Sequence, residues 1–330
     1  SRETTVVKRQ LNFGMIGCGR MGRVHTERLQ ADGRGRVTAL FDTHRPMADR
    51  LQHDLLPNAA VFDSLASMLD EADLDAAVIC TPTTAHYDQV LACRERGLHL
   101  LCEKPLADTR NRMIDLIIAS NFGGPLLSVG YQRRYWGTYR TVRREVQSGR
   151  WGDIRMITSH NVENWQQTID GTWRDDPAIN WGGFIGDAGS HKIDAVFYTT
   201  GLSAQSVWAT TERFGSHVEV GGSVAARMEG GVLLNMDFVG NAQYLGEDFH
   251  IHCQHADLMI RDRKLWIARE GQIEPFPDVL PDSNPVVGFL DALVDGEPNL
   301  APPECALPVY DLTQAILESS ATGRIAIIGD

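Results

Sequence analysis

The chain has 330 residues, 43% of them hydrophobic, and a formal net charge of −12. That length exceeds one ordinary core and fits two domains; the acidity argues against a nucleic-acid partner, and no apolar run reaches the roughly 20 residues that would make a membrane a partner. Residues 1–10 lack the apolar stretch of a secretory signal and the six cysteines show no paired spacing, so a reducing, cytoplasmic setting is expected. From the start of the chain, apolar runs at 11–16, 37–41, 76–80 and 99–102 predict strands, and helix-period stretches at 21–29, 64–69 and 87–96 lie between them. Such alternation implies right-handed βαβ units, hence a doubly wound parallel sheet in an α/β domain over residues 1–130. Asp108 or Thr109 reads as the N-cap of a further helix through 119, Gly123-Gly124-Pro125 breaks the chain, and 126–131 reads as the last strand.

Residues 131–330 have a different texture. A helix is expected at 136–148, a strand at 154–160, a loop rich in Trp, Asp and Gly at 164–183, and a helix at 186–200 that Gly201 stops. Strand-like runs follow at 206–213, 217–228, 232–239, 248–252, 258–260 and 265–268. Glu229-Gly230-Gly231 suits a hairpin connection, and a helix at 309–319 closes the chain. This half reads as an α+β domain with a mainly antiparallel sheet.

Gly17-Cys18-Gly19-Arg20-Met21-Gly22 follows a strand and opens a helix, the context in which G-x-G-x-x-G holds a dinucleotide. Gly17 serves the tight turn, Gly19 the approach of the pyrophosphate and Gly22 the close helix–strand packing, while the helix N-terminus receives the phosphates. Asp42 ends the second strand at the distance expected for an acid on the ribose 2′-hydroxyl, which favours NAD. Arg45, just beyond His44, could swing to meet a 2′-phosphate and so keeps NADP open.

Two further segments carry chemistry. Glu103-Lys104-Pro105 follows the strand at 99–102, so Lys104 stands at the carboxyl end of the sheet, where ligands bind; the bland alternative is a surface lysine before a proline. Asp187 and His191 are four residues apart, a spacing that a helix stacks on one face. A carboxylate there orients an imidazole for general acid/base work, or the pair merely satisfies itself. Asp194 is either an outer partner of this pair or an ordinary helix acid. Trp165, Trp173 and Trp181 either pack beneath the long loop or offer a ring face to a sugar, and Arg174 either hydrogen-bonds substrate or stays solvated. His250, His252, Cys253 and His255 cluster, but no carboxylate or second cysteine pair completes a metal site, so no metal is expected.

The Gly17–Gly22 turn, Thr81-Pro82 with His86, Glu103-Lys104-Pro105, Gly130-Tyr131-Gln132-Arg133-Arg134 and Asp187-x-Gly-x-His191-x-x-Asp194 occur in that order. Together they resemble the glucose–fructose oxidoreductase/inositol dehydrogenase/MocA family over nearly the whole chain. The resemblance implies a Rossmann domain, then an open-faced sheet domain that often makes the oligomer interface, so a homodimer or homotetramer is expected. It implies NAD(P)-dependent hydride transfer to or from a ring hydroxyl or ketone of a sugar-like substrate, with Lys104, Asp187 and His191 as the catalytic group. His191 is then the acid/base, Lys104 polarises the oxygen and Asp187 holds the geometry. A cis bond before Pro105 is implied as well. Thr81, Pro82, His86, Glu103 and Arg134 are expected around the cofactor, with His86 alternatively a helix cap; Trp173 and Arg174 are candidates for the substrate. Ala188-Gly189-Ser190 is the generic form of this run and makes inositol itself a less favoured substrate. Two alternatives remain: a redox-neutral NAD-dependent glycosidase and an NAD-sensing regulator without turnover.

Overall fold

The computed structural model describes residues 9–329, so most of the polar start lies outside the described residues. The chain divides into two compact units: Ser1–Gly130 with Pro285–Pro303, and Tyr131–Asn284 with Glu304–Asp330.

The first unit is a six-stranded sheet in the order β3-β2-β1-β4-β5-β6. Its strands are β1 (Leu11–Ile16), β2 (Gly35–Phe41), β3 (Ala60–Phe62), β4 (Ala76–Ile79), β5 (His99–Cys102) and β6 (Leu127–Val129), all parallel. The connecting helices are α1 (Arg20–Asp32), α2 (Arg45–Leu55), α3 (Leu65–Glu71), α4 (Thr83–Glu95) and α5 (Arg110–Asn121). Strand order reverses between β1 and β4, so the crevice at the carboxyl ends of these two strands is the place for a ligand. Helices on both faces explain why β4 is buried at every residue and reads as unbroken apolar sequence. Thr109, one of the two expected caps, accepts the Arg112 N–H at the start of α5. β6 is shorter than the expected 126–131 strand. Val129 donates its N–H to Ala301 O (2.9 Å), and from Gln132 to Tyr135 the chain winds into a 3₁₀ turn.

The second unit is a nine-stranded sheet, β14-β13-β12-β11-β7-β10-β9-β8-β15. Its strands are β7 (Ile154–Asn164), β8 (Ala204–Glu212), β9 (Gly221–Met228), β10 (Leu233–Val239), β11 (Asn241–Cys253), β12 (Asp257–Arg261), β13 (Lys264–Arg269), β14 (Gln272–Pro275) and β15 (Ala326–Ile327). Only β7 and β10 pair in parallel. The helices are α6 (Gly137–Gln147), α7 (Gln166–Ile169), α8 (Gly183–Gly186), α9 (Ser190–Thr200) and α11 (Ala306–Thr322), while α10 (Pro285–Val294) belongs to the first unit. Residues alternate across β8: Val207 and Ala209 are buried under α11, while Trp208 between them is 47% exposed. The sheet thus has one covered and one open face.

Three expectations are corrected here. The segment assigned to the second domain at 285–303 belongs to the first unit, where Val286, Phe289 and Leu290 of α10 join Phe13, Met15 and Val78 in one core. The strand expected at 217–228 begins only at Gly221. The helix expected at 186–200 is two pieces: α8 ends at Gly186, Asp187 takes a non-helical conformation (φ −89°, ψ −91°), and α9 begins at Ser190.

Beneath the covered face lies a charged network. Glu247 accepts from Arg133 (2.5 Å) and from the Tyr139 hydroxyl, with Lys192 Nζ at 3.9 Å; Lys192 itself bonds Glu163 at 2.6 Å. Burial pushes the Glu247 carboxyl up, but the charges of Arg133 and Lys192 outweigh it and hold the group at about 2. A depressed carboxylate stabilises the fold above its ordinary pKa and loses that contribution as pH falls towards the folded value. Acid titration is therefore expected to remove roughly 3 kcal/mol from the second unit between about pH 4.5 and pH 2. Glu247→Gln should flatten that part of the stability curve measured by urea unfolding; an unchanged acid limb would count against the network.

Candidate active site

The first unit supplies a dinucleotide cradle. Gly17 adopts φ +91°, and a Cβ there would lie 2.7 Å from the Cys80 carbonyl carbon. A Cβ on Gly22 would come within 2.3 Å of Gly17 O, so the helix can approach its own turn only without one. Gly19 faces open space and caps α1 without a side-chain hydrogen bond, which leaves the first N–H groups of the helix for a phosphate. Arg20 and Met21 begin α1, with Arg20 exposed. These residues fit a pyrophosphate.

Asp42 is fixed at the end of β2 by two backbone donors, Cys18 N (2.7 Å) and His44 N (2.8 Å). Arg45 is held by Asp49 (Nε, 2.8 Å) and by Asp63, rather than reaching towards the Gly17 turn. At the next strand end, Thr81 and Pro82 are half-buried and precede α4. His86 is not a helix cap: it is 1% exposed and links two loops, its Nδ1 2.7 Å from Pro105 O and its Nε2 2.8 Å from Thr81 O.

Lys104 is half-buried on the turn after β5, and its bond to Pro105 is cis. Glu103, expected at the cofactor, turns inward instead. Its carboxylate lies 2.8 Å from His25 Nε2 and accepts the Lys104 N–H at 3.3 Å. Burial pushes this carboxyl up, yet the His25 hydrogen bond and the Lys104 charge leave it below its ordinary value. Sequence reasoning missed His25; its only signal was a polar residue on the buried face of α1.

The second unit supplies the acid and the imidazole. Asp187 lies outside any helix, so the expected stacking on one helical face is corrected. The turn is forced by close packing, since a Cβ on Gly189 would sit 2.5 Å from Ile185 O and 2.9 Å from the Phe238 ring. Asp187 is held by the Trp165 indole N–H (3.2 Å) and by Arg174 Nε (3.1 Å). Arg174 therefore serves Asp187 directly, and its guanidinium stacks on Trp173 at 4.3 Å. His191 is the second residue of α9, 8% exposed and edge-on to Tyr131. Trp165 packs on Phe184 and Trp181 on Tyr310. Asp194 is fully buried against Arg134 of the same unit. Of the histidine cluster, His250 Nε2 lies 3.3 Å from Arg261 and His252 pairs with Asp257, and among the described residues no metal-holding group of His, Cys, Asp or Glu occurs. Among the described residues, no helix is long and apolar enough to cross a membrane.

Residues 11–131 match the profile of an oxidoreductase family with an NAD-binding Rossmann fold, and residues 139–259 match the GFO/IDH/MocA C-terminal domain. The chain belongs to the Gfo/Idh/MocA family. As a member it is an NAD-binding oxidoreductase whose two sheets are those of the family fold. Inositol 2-dehydrogenase 2 of Saccharopolyspora erythraea is 30% identical over 241 residues, 71% of this chain and 68% of that one. The inositol 2-dehydrogenase of Rhizobium meliloti is 28% identical over 201 residues, 61% of this Gfo/Idh/MocA chain and 58% of its relative. Among solved structures, an oxidoreductase domain protein from Kribbella flavida aligns with a TM-score of 0.87 at 20% identity, covering 97% of this chain and 100% of that one. The WlbA dehydrogenase of Bordetella pertussis, in complex with NADH and UDP-GlcNAcA, aligns at 0.84 and 24% identity, covering 98% and 100%.

Proposed function

We propose that this protein transfers a hydride between a nicotinamide and a ring hydroxyl, or the matching ketone, of a sugar or cyclic polyol, with NAD preferred to NADP. The observation that carries the reading is the fixed carboxylate of Asp187 four residues before a buried imidazole, His191, in a chain that also holds Lys104 at a strand end. When bound, the nicotinamide accepts or returns the hydride. His191 takes the hydroxyl proton as the alcohol becomes a ketone and returns it in reduction. Lys104 donates a hydrogen bond to the reacting oxygen, and Asp187 keeps a negative charge beside the imidazole that becomes protonated. Trp173, one face of which carries Arg174, is the proposed platform for the sugar ring. The inositol 2-dehydrogenases among its relatives support a cyclic polyol as substrate.

The fixed Asp42 carboxylate supports NAD. A 2′-phosphate would meet it as a like charge, and like-charge contacts cost several kcal/mol, so kcat/KM should favour NAD over NADP by roughly tenfold or more. Asp42→Ser is expected to narrow that ratio; a wild-type preference for NADP would overturn the assignment. A homodimer or homotetramer through the open sheet face, where Trp208 and Leu233 are exposed, is part of the proposal and is checked by light scattering. All six thiols are unpaired, which supports a reducing compartment such as the cytoplasm.

The deciding experiment is a screen of sugars and cyclic polyols with NAD and NADP, following absorbance of the reduced nicotinamide. Accumulating NADH supports a dehydrogenase. Sugar release without net reduction would point to a redox-neutral glycosidase, and binding of NAD with no turnover of any substrate to a sensor.

A further inference from the structure

The turn that carries Lys104 is fastened from below by a buried ionisable group that the proposed chemistry does not use. His25 has no exposed surface and projects from α1, the helix that the Gly17–Gly22 turn opens. Its Nε2 meets Glu103 Oε1 at 2.8 Å, while its Nδ1 is buried with no hydrogen-bond partner among the described residues. The other oxygen of Glu103 accepts the N–H of Lys104 itself. Gly130 leaves room for the carboxylate beside the end of β6: a Cβ there would come within 2.9 Å of Glu103 Oε1. On its far side the same turn is held by His86, at the Pro105 carbonyl. The charge on Glu103 is felt by its neighbours, since burial first and Glu103 second push the Cys80 and Cys102 thiols up. For stability alone a pair of apolar side chains would fill this space better than a buried acid and an imidazole with one bare nitrogen. Such a pair is retained where it fixes a geometry.

We propose that His25, acting through Glu103, is a positioning residue for Lys104 and couples the cofactor-binding helix to the lysine that polarises the substrate oxygen. The inference rests on the role given to Lys104 above. It predicts that loosening His25 harms turnover far more than cofactor binding, because α1 keeps its N-terminus and its glycines.

The test uses the full chain with three substitutions: His25→Leu, which fills the space without a donor; His25→Gln, whose amide can donate in place of Nε2; and Glu103→Gln, which keeps a bond but removes the charge. His25→Leu should lower kcat about ten- to a hundredfold, the scale of a misplacement near 1 Å. Its NADH dissociation constant, read by nicotinamide fluorescence, should stay within about threefold, and His25→Gln should recover most of the lost turnover. Glu103→Gln should displace the pH profile of kcat/KM, which a merely structural contact would leave in place. Wild-type kcat in His25→Leu, or parallel losses of kcat and NADH binding, would overturn the proposal. If His25→Leu does not fold, Glu103→Gln decides: an unmoved pH profile with normal kcat overturns it and a moved one supports it. Lys104→Met separates the two readings. If it stays active, the role of Lys104 itself is wrong; if it is inactive while His25→Leu is normal, only the coupling fails.

Discussion

Exchanging Lys104 for methionine is expected to lower kcat/KM about a thousandfold while NADH still binds, the scale on which a positioned proton-handling or charge-stabilising group contributes. Methionine keeps an unbranched apolar stem of about the same length and removes the ammonium group. The backbone that presents it is held independently: Glu103 N donates to Ile79 O at 2.9 Å, and Pro105 O is gripped by His86. Neither bond involves the lysine side chain, so the turn should survive the substitution. Nor does the substitution touch Gly17, Gly19 or the uncapped start of α1, where the dinucleotide phosphates are expected. Loss of turnover without loss of cofactor is thus the signature of a group acting on substrate oxygen. His191→Asn should produce a loss of similar order, and the double variant should fall little further, because groups that act in one step are not additive. Steady-state kinetics with a substrate from the polyol screen, alongside fluorescence titration of NADH, provides both readouts. Activity of Lys104→Met within about tenfold of the parent would remove the lysine from the mechanism.

The parts of this protein legible in its sequence are those whose cause is local. Gly17 needs a positive φ and Gly22 a missing Cβ because of atoms within a few residues or on the adjacent strand, so the motif and its strand–turn–helix setting declare each other. Ahead of Lys104, Leu100, Leu101 and Cys102 are apolar for the same kind of reason: all three are buried in the sheet. What escaped is set by distant chain. The three-residue β3 and the helix α2, with only Ala48 and Leu51 buried, carry too little apolar pattern to stand out. The apolar character of α10 is plain, but nothing in it says which core it will enter, and it packs beside Phe13 some 270 residues earlier in the chain, as the T-shaped contact with Phe289 records. Spacing suggested that Asp187 rides on the helix of His191. The break between them comes from Gly189 wedged against Ile185 and Phe238, a contact with a strand that follows much later. The same holds for partners. Trp165 and Arg174 converge on Asp187 from a loop whose own composition offered either packing or a sugar platform.

Arg134 marks the other place where a family position and a local reading leave the role open, and there the expected consequence is one of stability. Its guanidinium is buried and donates from Nε to both oxygens of Asp194 (3.0 and 2.9 Å) and from Nη2 to Oδ1 (2.7 Å), while its carbon lies 4.9 Å over the Tyr198 ring. Asp194 has no exposed surface. This pair fastens the 3₁₀ turn Gln132–Tyr135 to α9, the helix that bears His191. An exposed pair such as Arg45–Asp63 contributes little, because water screens it and both chains are free to move. Arg134→Leu is different. It strands the Asp194 carboxylate in the interior, and removing one member of a buried pair costs about 3–5 kcal/mol. Replacing both members together, Arg134→Met with Asp194→Leu, takes away the stranded charge and should regain most of that loss, since apolar substitutes of similar volume often equal a buried ion pair. Urea unfolding of the parent, the two single variants and the double variant measures the cycle directly. The double variant also separates the two roles that Arg134 can have. If its stability returns and its kcat does not, the arginine serves the reaction as well as the fold; if both return, it serves the fold alone. A loss below about 1 kcal/mol in Arg134→Leu would mean that the carboxylate finds water or another donor, and that α9 does not depend on this bond.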